Sequence, residues 1–332
     1  MTKKVGRIRD VAKETGLSIA TISRVMNGAT SVKPATRDIV LAACEKLDYV
    51  PNPAARSLST NRSKTIAVII PTIEHSVFDK YIAGIEQLLS ERGYSLVLAV
   101  SNSNHDEELA AAQKLLGMGA EAFVLTGKEH SQALIDMFQR RHVPYAFTSV
   151  WEPDLSIPTI GYDNYTLAKQ AIDFLATQGH QQIAAIHGPL ADSDRTRARR
   201  DGAMAANNGQ LTLDFFETSL NVEGGKRAAQ SLLTTEARYT ATLCFSDVLA
   251  LGAYFALFEA GLKIPDDISV MGFDNLDWSE HVTPPLTTID LPAKKMGISV
   301  VKQLINNLEK SEPIEPTLLP AEIVKRSSVA AI

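Results

Sequence analysis

Cysteine is nearly absent. The chain holds only Cys44 and Cys244, in different expected domains and without metal-ligand spacing, so a disulfide framework is excluded and two buried apolar thiols are expected. The seven histidines (His75, His105, His130, His142, His180, His187 and His281) are scattered, with no His-x-x-x-His pair to hold zinc. No run approaches the roughly 20 apolar residues that a membrane helix needs. Met1 to Ser18 carries positive charge but neither an apolar core nor a cleavage site. That excludes a secretory signal and makes the cytoplasm the expected location, with no membrane partner. The sequence also lacks a Gly-x-Gly-x-x-Gly after a strand, a phosphate-cradling Gly-Lys-Ser/Thr loop and a Gly-x-Ser-x-Gly elbow. No catalytic residue, metal or cofactor is therefore expected.

An excess of basic charge is missing too, but only on average. The net charge is −5. Residues 1 to 64 hold 12 Lys+Arg against 5 Asp+Glu, and the remainder holds 21 against 33. A basic head on an acidic body suits a protein that meets a polyanion with one end only. At 332 residues the chain is long enough for two or three domains.

The basic end contains the most informative stretch, Ile8 to Asn27. It reads as two short helices broken by a tight turn. Ala12 is small enough for a close helix crossing, and Gly16 accepts the positive φ of the turn. Ser18 caps the second helix. Ile22 and Val25, three apart, face inward against Val11 and Ala12. Ile19, Ala20, Ser23 and Arg24 are left outward at the exposed start of helix two. This is the layout of a helix-turn-helix whose second helix meets base edges in the major groove of duplex DNA. A third helix is expected from Pro34 to about Leu47, with Val40, Cys44 and Leu47 as its inner stripe. The segment Asn52 to Ser59 has helical signals but is shorter than the ~12–15 residues at which isolated helices become marginal. It should order only when docked.

From Thr65 the texture becomes alternating strand and helix. Strands are expected at Thr65–Ile70, Tyr94–Val100, Ala122–Thr126 and Pro144–Ser149, with helices at about 77–92, 105–117 and 130–141. After Asp163 the pattern restarts. Helix 164–178 leads to strand Ile183–His187, helix 197–208, strand 211–216, helix 223–234, strand Ala241–Phe245, helix 247–260 and strand Ile268–Phe273. Such alternation implies parallel sheets covered on both faces. Pro284-Pro285 and the proline-bearing tail 313–320 read as further passes between two similar lobes.

Motifs in a fixed order then identify a resemblance. They are Asp10-Val11-Ala12, Ser18 through Asn27, Tyr49-Val50-Pro51-Asn52, Gly179-His180-Gln181-Gln182-Ile183-Ala184, Pro265-Asp266-Asp267-Ile268-Ser269-Val270, Gly272-Phe273-Asp274-Asn275 and Pro284-Pro285-Leu286-Thr287-Thr288-Ile289. Over nearly its whole length the chain resembles the lactose-repressor (LacI/GalR) family of transcription regulators. The fragments Val77-Phe78, Leu125-Thr126 and Arg195-Thr196 are faintly similar to gluconate-type repressors. The resemblance implies a small all-α helix-turn-helix head at 1–50, a hinge helix and linker at 51–63, and an α/β body at 64–332. The body would consist of two similar doubly wound lobes, like periplasmic binding proteins. Lobe one would span about 64–162 and 293–320, lobe two about 163–292 and 321–332. It also implies a homodimer or tetramer on double-stranded operator DNA; no tetramerising heptad is visible after Ser311.

Carried over by motif position, Ser18, Thr21, Ser23 and Asn27 would hold phosphates, while Ile19, Ala20 and Arg24 would face bases. Arg24 can fork onto a guanine, and Ile19 and Ala20 suit thymine methyls. Asn52, Ala55 and Leu58 would belong to the hinge's DNA contacts, with Leu58 as a minor-groove wedge. Phe78, Thr126, Ser149, Arg199, Ser246 and Asp274 would line an effector cleft at the C-terminal ends of the strands. Ser149 and Ser246 stand where several sugar-responsive members carry an acid or amide. That leaves Arg199 unbalanced by a second carboxylate and makes a sugar acid as good a candidate effector as a neutral sugar. Two rival classes remain. A solute-binding protein for uptake would share the body but lack the basic head. A sugar-acting enzyme on the same fold would need a catalytic motif that is not visible.

Overall fold

The computed structural model describes residues 6–26, 31–50, 62–73, 77–207 and 209–332. They form two compact units, dividing between Lys64 and Thr65. The first unit holds α1 (Ile8–Thr15), α2 (Ile19–Met26) and α3 (Pro34–Lys46). Gly16 ends α1 at φ 69°, a conformation that costs a Cβ-bearing residue. The Ser18 hydroxyl then accepts the Thr21 amide at 3.1 Å, capping α2 as its sequence position predicts. Val11, Ile22, Val25, Val40, Ala43 and Cys44 close into one small core, with Leu47 packed against it. The expected inner stripe of α3 thus gains Ala43.

The second unit follows the expected alternation. Its first sheet takes β1 (Thr65–Ile70), β2 (Ser95–Val100), β3 (Ala122–Thr126), β4 (Tyr145–Thr148), β5 (Thr159–Gly161) and β11 (Thr317–Leu318). The order is β11-β5-β4-β3-β1-β2, every pair parallel. The helices α4 (Val77–Glu91), α5 (His105–Gly117) and α6 (Gln132–Arg141) connect its first four strands. Chain-adjacent strands here run parallel, so each connection must cross over, and helices that bury one face on the sheet do this. After α7 (Asn164–Thr177) a second parallel sheet, in the order β7-β6-β8-β9, takes β6 (Gln182–His187), β7 (Thr212–Glu217), β8 (Ala241–Cys244) and β9 (Ser269–Met271). Its helices are α8 (Asp194–Ala206), α9 (Val222–Leu233) and α10 (Asp247–Glu259). β10 (Thr288–Asp290) and β12 (Glu322–Val324) pair antiparallel.

Several features depart from the sequence expectation. α11 (Ala293–Lys310) is a full helix between the proline-marked passes at 284–285 and 313–320, where the sequence reading marks no element. It lies so close to α4 that a Cβ on Gly84 would stand 2.4 Å from the Lys294 carbonyl, and one on Gly297 2.4 Å from that of Tyr81. α8 starts at Asp194 rather than 197, because Ser193 caps the Thr196 amide at 3.2 Å. β9 stops at Met271, which frees Gly272 and Phe273 for the loop that carries Asp274.

Candidate functional site

On α2 the outward residues fall as the helical period requires. Ile19, Ala20 and Arg24 are exposed, while Ser18 lies exposed just before them at the cap and Thr21 and Ser23 are half-buried on the flanks. Ala20 and Arg24 stand one turn apart, as do Ile19 and Ser23, so the helix presents an apolar start beside a guanidinium. Ile22 and Val25 are spent on the core. The Ser18 and Thr21 hydroxyls bond each other at 2.9 Å. Asn27, Asn52, Ala55 and Leu58 lie outside the described residues.

The second unit contains a cleft of about 440 Å³ built from the C-terminal ends of strands in both sheets. From the first sheet come Pro71 and Thr72 after β1, Asn102 and Ser103 after β2, Thr126 at the end of β3 and Ser149 after β4, with Phe78 and Tyr81 from α4. From the second come Pro189 after β6, Asn221 after β7, Phe245 and Ser246 after β8, and Asp274 after β9, with Arg195 and Arg199 from α8. All six residues carried over by motif position therefore meet in one cavity. Parallel strands place all their C-terminal ends on one side, so residues far apart in sequence converge there.

Arg199 forms the buried floor. Its Nε donates to Asn164 Oδ1 at 2.9 Å and a terminal nitrogen donates to the Phe245 carbonyl, while the guanidinium lies 3.9 Å above the Phe273 ring. Burial pulls its proton affinity down, against the opposing pull of Tyr162 and Asp274. Asp274 accepts from the Ser246 hydroxyl at 2.7 Å. Burial pushes its carboxyl above the usual carboxylate range, and Arg199 and Ser246 only partly offset this. Directly behind it Asp247 is fully buried. Its carboxyl is also raised, by burial first and by the charge of Asp274 second. Asp247, the first residue of a helix the sequence does reveal, turns inward rather than to solvent, while Asp274 is the carboxylate that acts on Arg199.

Ser149 adopts φ 66°. Its amide faces the Met296 sulfur at 3.2 Å, and its carbonyl accepts from Asn164 at 2.9 Å. Phe78 is buried at the cleft wall, and Thr126 donates weakly to the Ile69 carbonyl at 3.5 Å. Contacts bridge the cleft on both sides. On one, the Lys128 amide donates to Asp194, and Arg197 pairs with Glu129. On the other, Lys80 pairs with Asp277 at 2.8 Å and donates to the Asn275 carbonyl at 2.9 Å. Sequence reasoning misses Tyr162, Asn164, Asp247 and Met296. The first two follow the strand β5, which the sequence pattern does not mark, and Met296 sits on the unexpected α11. Among the described residues no group of carboxylates, histidines and cysteines is arranged to hold a metal, and no helix is long and apolar enough to cross a membrane.

Two family models match. Residues 7–52 match "Bacterial regulatory proteins, lacI family", and residues 63–327 match "Periplasmic binding proteins and sugar binding domain of LacI family". The HTH-type transcriptional repressor CytR of Escherichia coli (strain K12) is 31% identical over 330 residues, covering 98% of this chain and 96% of that protein. Among solved structures, the lac repressor dimer bound to operator and the anti-inducer ONPF superposes with a TM-score of 0.88 at 29% identity, covering 99% of this chain and 100% of that one. A LacI family regulator from Enterococcus faecium with bound ribose gives a TM-score of 0.73 at 28% identity, covering 81% and 99%.

Proposed function

This chain belongs to the LacI family of DNA-binding transcriptional regulators, and we propose that it represses carbohydrate-utilisation genes until a small sugar or sugar acid fills its cleft. Members of the family are regulators that bind operator DNA through the helix-turn-helix and act as dimers. The observation that carries the effector reading is the cavity of about 440 Å³, where Arg199 and Asp274 meet hydroxyls from both lobes. Its size suits a mono- or disaccharide. A guanidinium offers a planar fork to a carboxylate or paired hydroxyls, and a carboxylate accepts from adjacent hydroxyls. Bound ribose in the Enterococcus faecium relative supports the same class. Phe78, Thr126, Ser149 and Ser246 complete the proposed effector site. No catalytic step is assigned to it, and the protein works in the cytoplasm beside its DNA.

The proposed division is a head at 1–50, a hinge at 51–63 carrying Asn52, Ala55 and Leu58, and a two-lobed body at 64–332. Asn27, with Ser18, Thr21 and Ser23, would hold phosphates. A ligand touching both lobes favours one closure angle, and it shifts DNA affinity only by its differential affinity for the two states.

A thermal-shift screen with sugars, sugar acids, sugar phosphates and nucleosides tests the effector class. At 100 times its dissociation constant a true effector adds ~2.7 kcal/mol to the stability of the body. Stabilisation by nucleosides alone would refute the sugar reading. For the head, Arg24→Ala is expected to cost about 1–3 kcal/mol on an operator selected from random duplexes. Its cost on unselected DNA should be much smaller, and an equal loss on both would make Arg24 a phosphate contact.

A further inference from the structure

The effector-facing Asp274 stands on strained backbone, with φ 128°, and Asn275 follows at φ 54°. Such conformations persist only where the surroundings over-determine them. Asp247 supplies the determination from behind. One of its carboxylate oxygens accepts the Leu276 amide at 2.8 Å, and the other accepts the Thr288 hydroxyl at 2.6 Å. Its own amide donates to the Phe273 carbonyl at 2.8 Å and lies 3.4 Å from the Asp274 carboxylate. The same carboxylate occupies the space a side chain on Gly272 would need, since a Cβ there would stand 2.1 Å from Asp247 Oδ1. One buried acid therefore grips the loop at 272, 273 and 276, on both sides of Asp274.

We propose that Asp247 is a positioning residue, which clamps the Gly272–Leu276 loop and aims Asp274 into the cleft. This rests on the reading of Asp274 as an effector contact. With the Asp274 carboxylate 3.4 Å from the Asp247 amide and both side chains buried, the two acids do not both ionise readily, and they titrate as a pair. The groups facing them do not change this. Arg199 and the hydroxyls of Ser246 and Thr288 face the pair, and the Arg199 cation offsets the burial of Asp274 only in part. Tyr162 from the segment before α7, Tyr254 from α10 and Cys244 from β8 are buried and pushed up, so they stay neutral. A sugar hydroxyl donates best to an ionised Asp274, so capture of the effector releases the pair's proton.

This proton gives stability a pH dependence of definite sign. Unfolded aspartates ionise near ~3.9, whereas the folded pair keeps a proton to higher pH. The native state then binds more protons than the unfolded state, and stability falls as pH rises from about 4 toward neutrality. The experiment uses the full chain without any sugar and compares thermal midpoints from pH 4 to 8.5. Asp247→Asn preserves the shape, because its carbonyl still accepts from Leu276 and its amide can donate to Thr288. Its midpoint should match wild type near pH 4 and exceed it at pH 8 by roughly 3–6 °C. Asp274→Asn should behave likewise, and the double variant should gain less than the two singles together. Asp247→Ala should also speed hydrogen exchange of the Leu276 amide at least tenfold; if that variant does not fold, the asparagine cycle decides. Parallel pH curves for wild type and Asp247→Asn, or additive gains in the double variant, would overturn the proposal. Because no sugar is present, either outcome stands apart from the effector reading, which the ligand screen decides.

Discussion

Ile22→Ala is expected to abolish operator binding at 37 °C while leaving the unit from Thr65 onward intact. Ile22 has no exposed surface and belongs to a core of six buried residues. Truncating a buried isoleucine to alanine costs ~2–5 kcal/mol, by lost transfer energy and by the cavity left behind. A unit this small cannot absorb that, because domains near 60 residues bury too little surface to be more than marginally stable. Ile22→Val should cost only ~0.5–1.5 kcal/mol and leave most operator binding in place. Circular dichroism melts would show loss of the head's transition beside an unchanged one for the body, and gel shifts would show at least a hundredfold weaker operator binding. Wild-type affinity in Ile22→Ala would mean that the head's fold does not depend on this core.

The second large effect concerns the cleft. Asp274→Asn should leave the protein folded and able to bind operator, but its response to effector should need 10- to 100-fold more ligand. A hydrogen bond to a charged group is worth ~1.5–3 kcal/mol, and an amide supplies only one acceptor where the carboxylate supplies two. Arg199→Ala should be harsher. It strands Asn164 Oδ1 and the Phe245 carbonyl and leaves Asp274 without the cation that opposes its burial. Breaking such a buried arrangement costs ~3–5 kcal/mol, so both effector binding and body stability should fall. Arg199→Lys should not rescue, since one ammonium cannot serve both acceptors and still lie flat on the Phe273 ring. Calorimetry with the effector from the screen, paired with operator titrations, checks this. If both variants bind ligand as wild type does, neither residue is an anchor.

Much of this protein is written in local sequence. The helix-turn-helix is legible because its determinants lie close together in sequence. Gly16 permits the φ the chain adopts, Ser18 caps α2, and Ile22 and Val25, three apart on α2, bury one face in the core that also holds Val11 of α1. The strands β1, β3 and β6 are legible because strands buried on both faces become short, nearly unbroken apolar runs. The helix α11 carries an equally plain stripe in Ala293, Met296, Val300, Leu304 and Ile305. The prolines on either side of it mask that stripe by suggesting loops. Proline at Pro292 in fact sits where a helix begins, the one place it costs nothing.

The site divides differently. Motif position puts Arg199 and Asp274 in the cleft, and the local sequence pattern puts each on or beside a lobe-two element that ends there. Only the tertiary structure decided what surrounds them. Asn164 and Tyr162 reach Arg199 from the start of α7, and Met296 meets Ser149 from nearly 150 residues away. In sequence Asp247 is an acid in the first turn of a helix, a position that a favourable helix dipole explains without burial. Its burial behind Asp274 follows from the packing of α10 against the loop after β9. Spacing along one helix or strand fixes which residues share a face, but the partner opposite that face is chosen by the fold, and a carboxylate's charge depends on its partners.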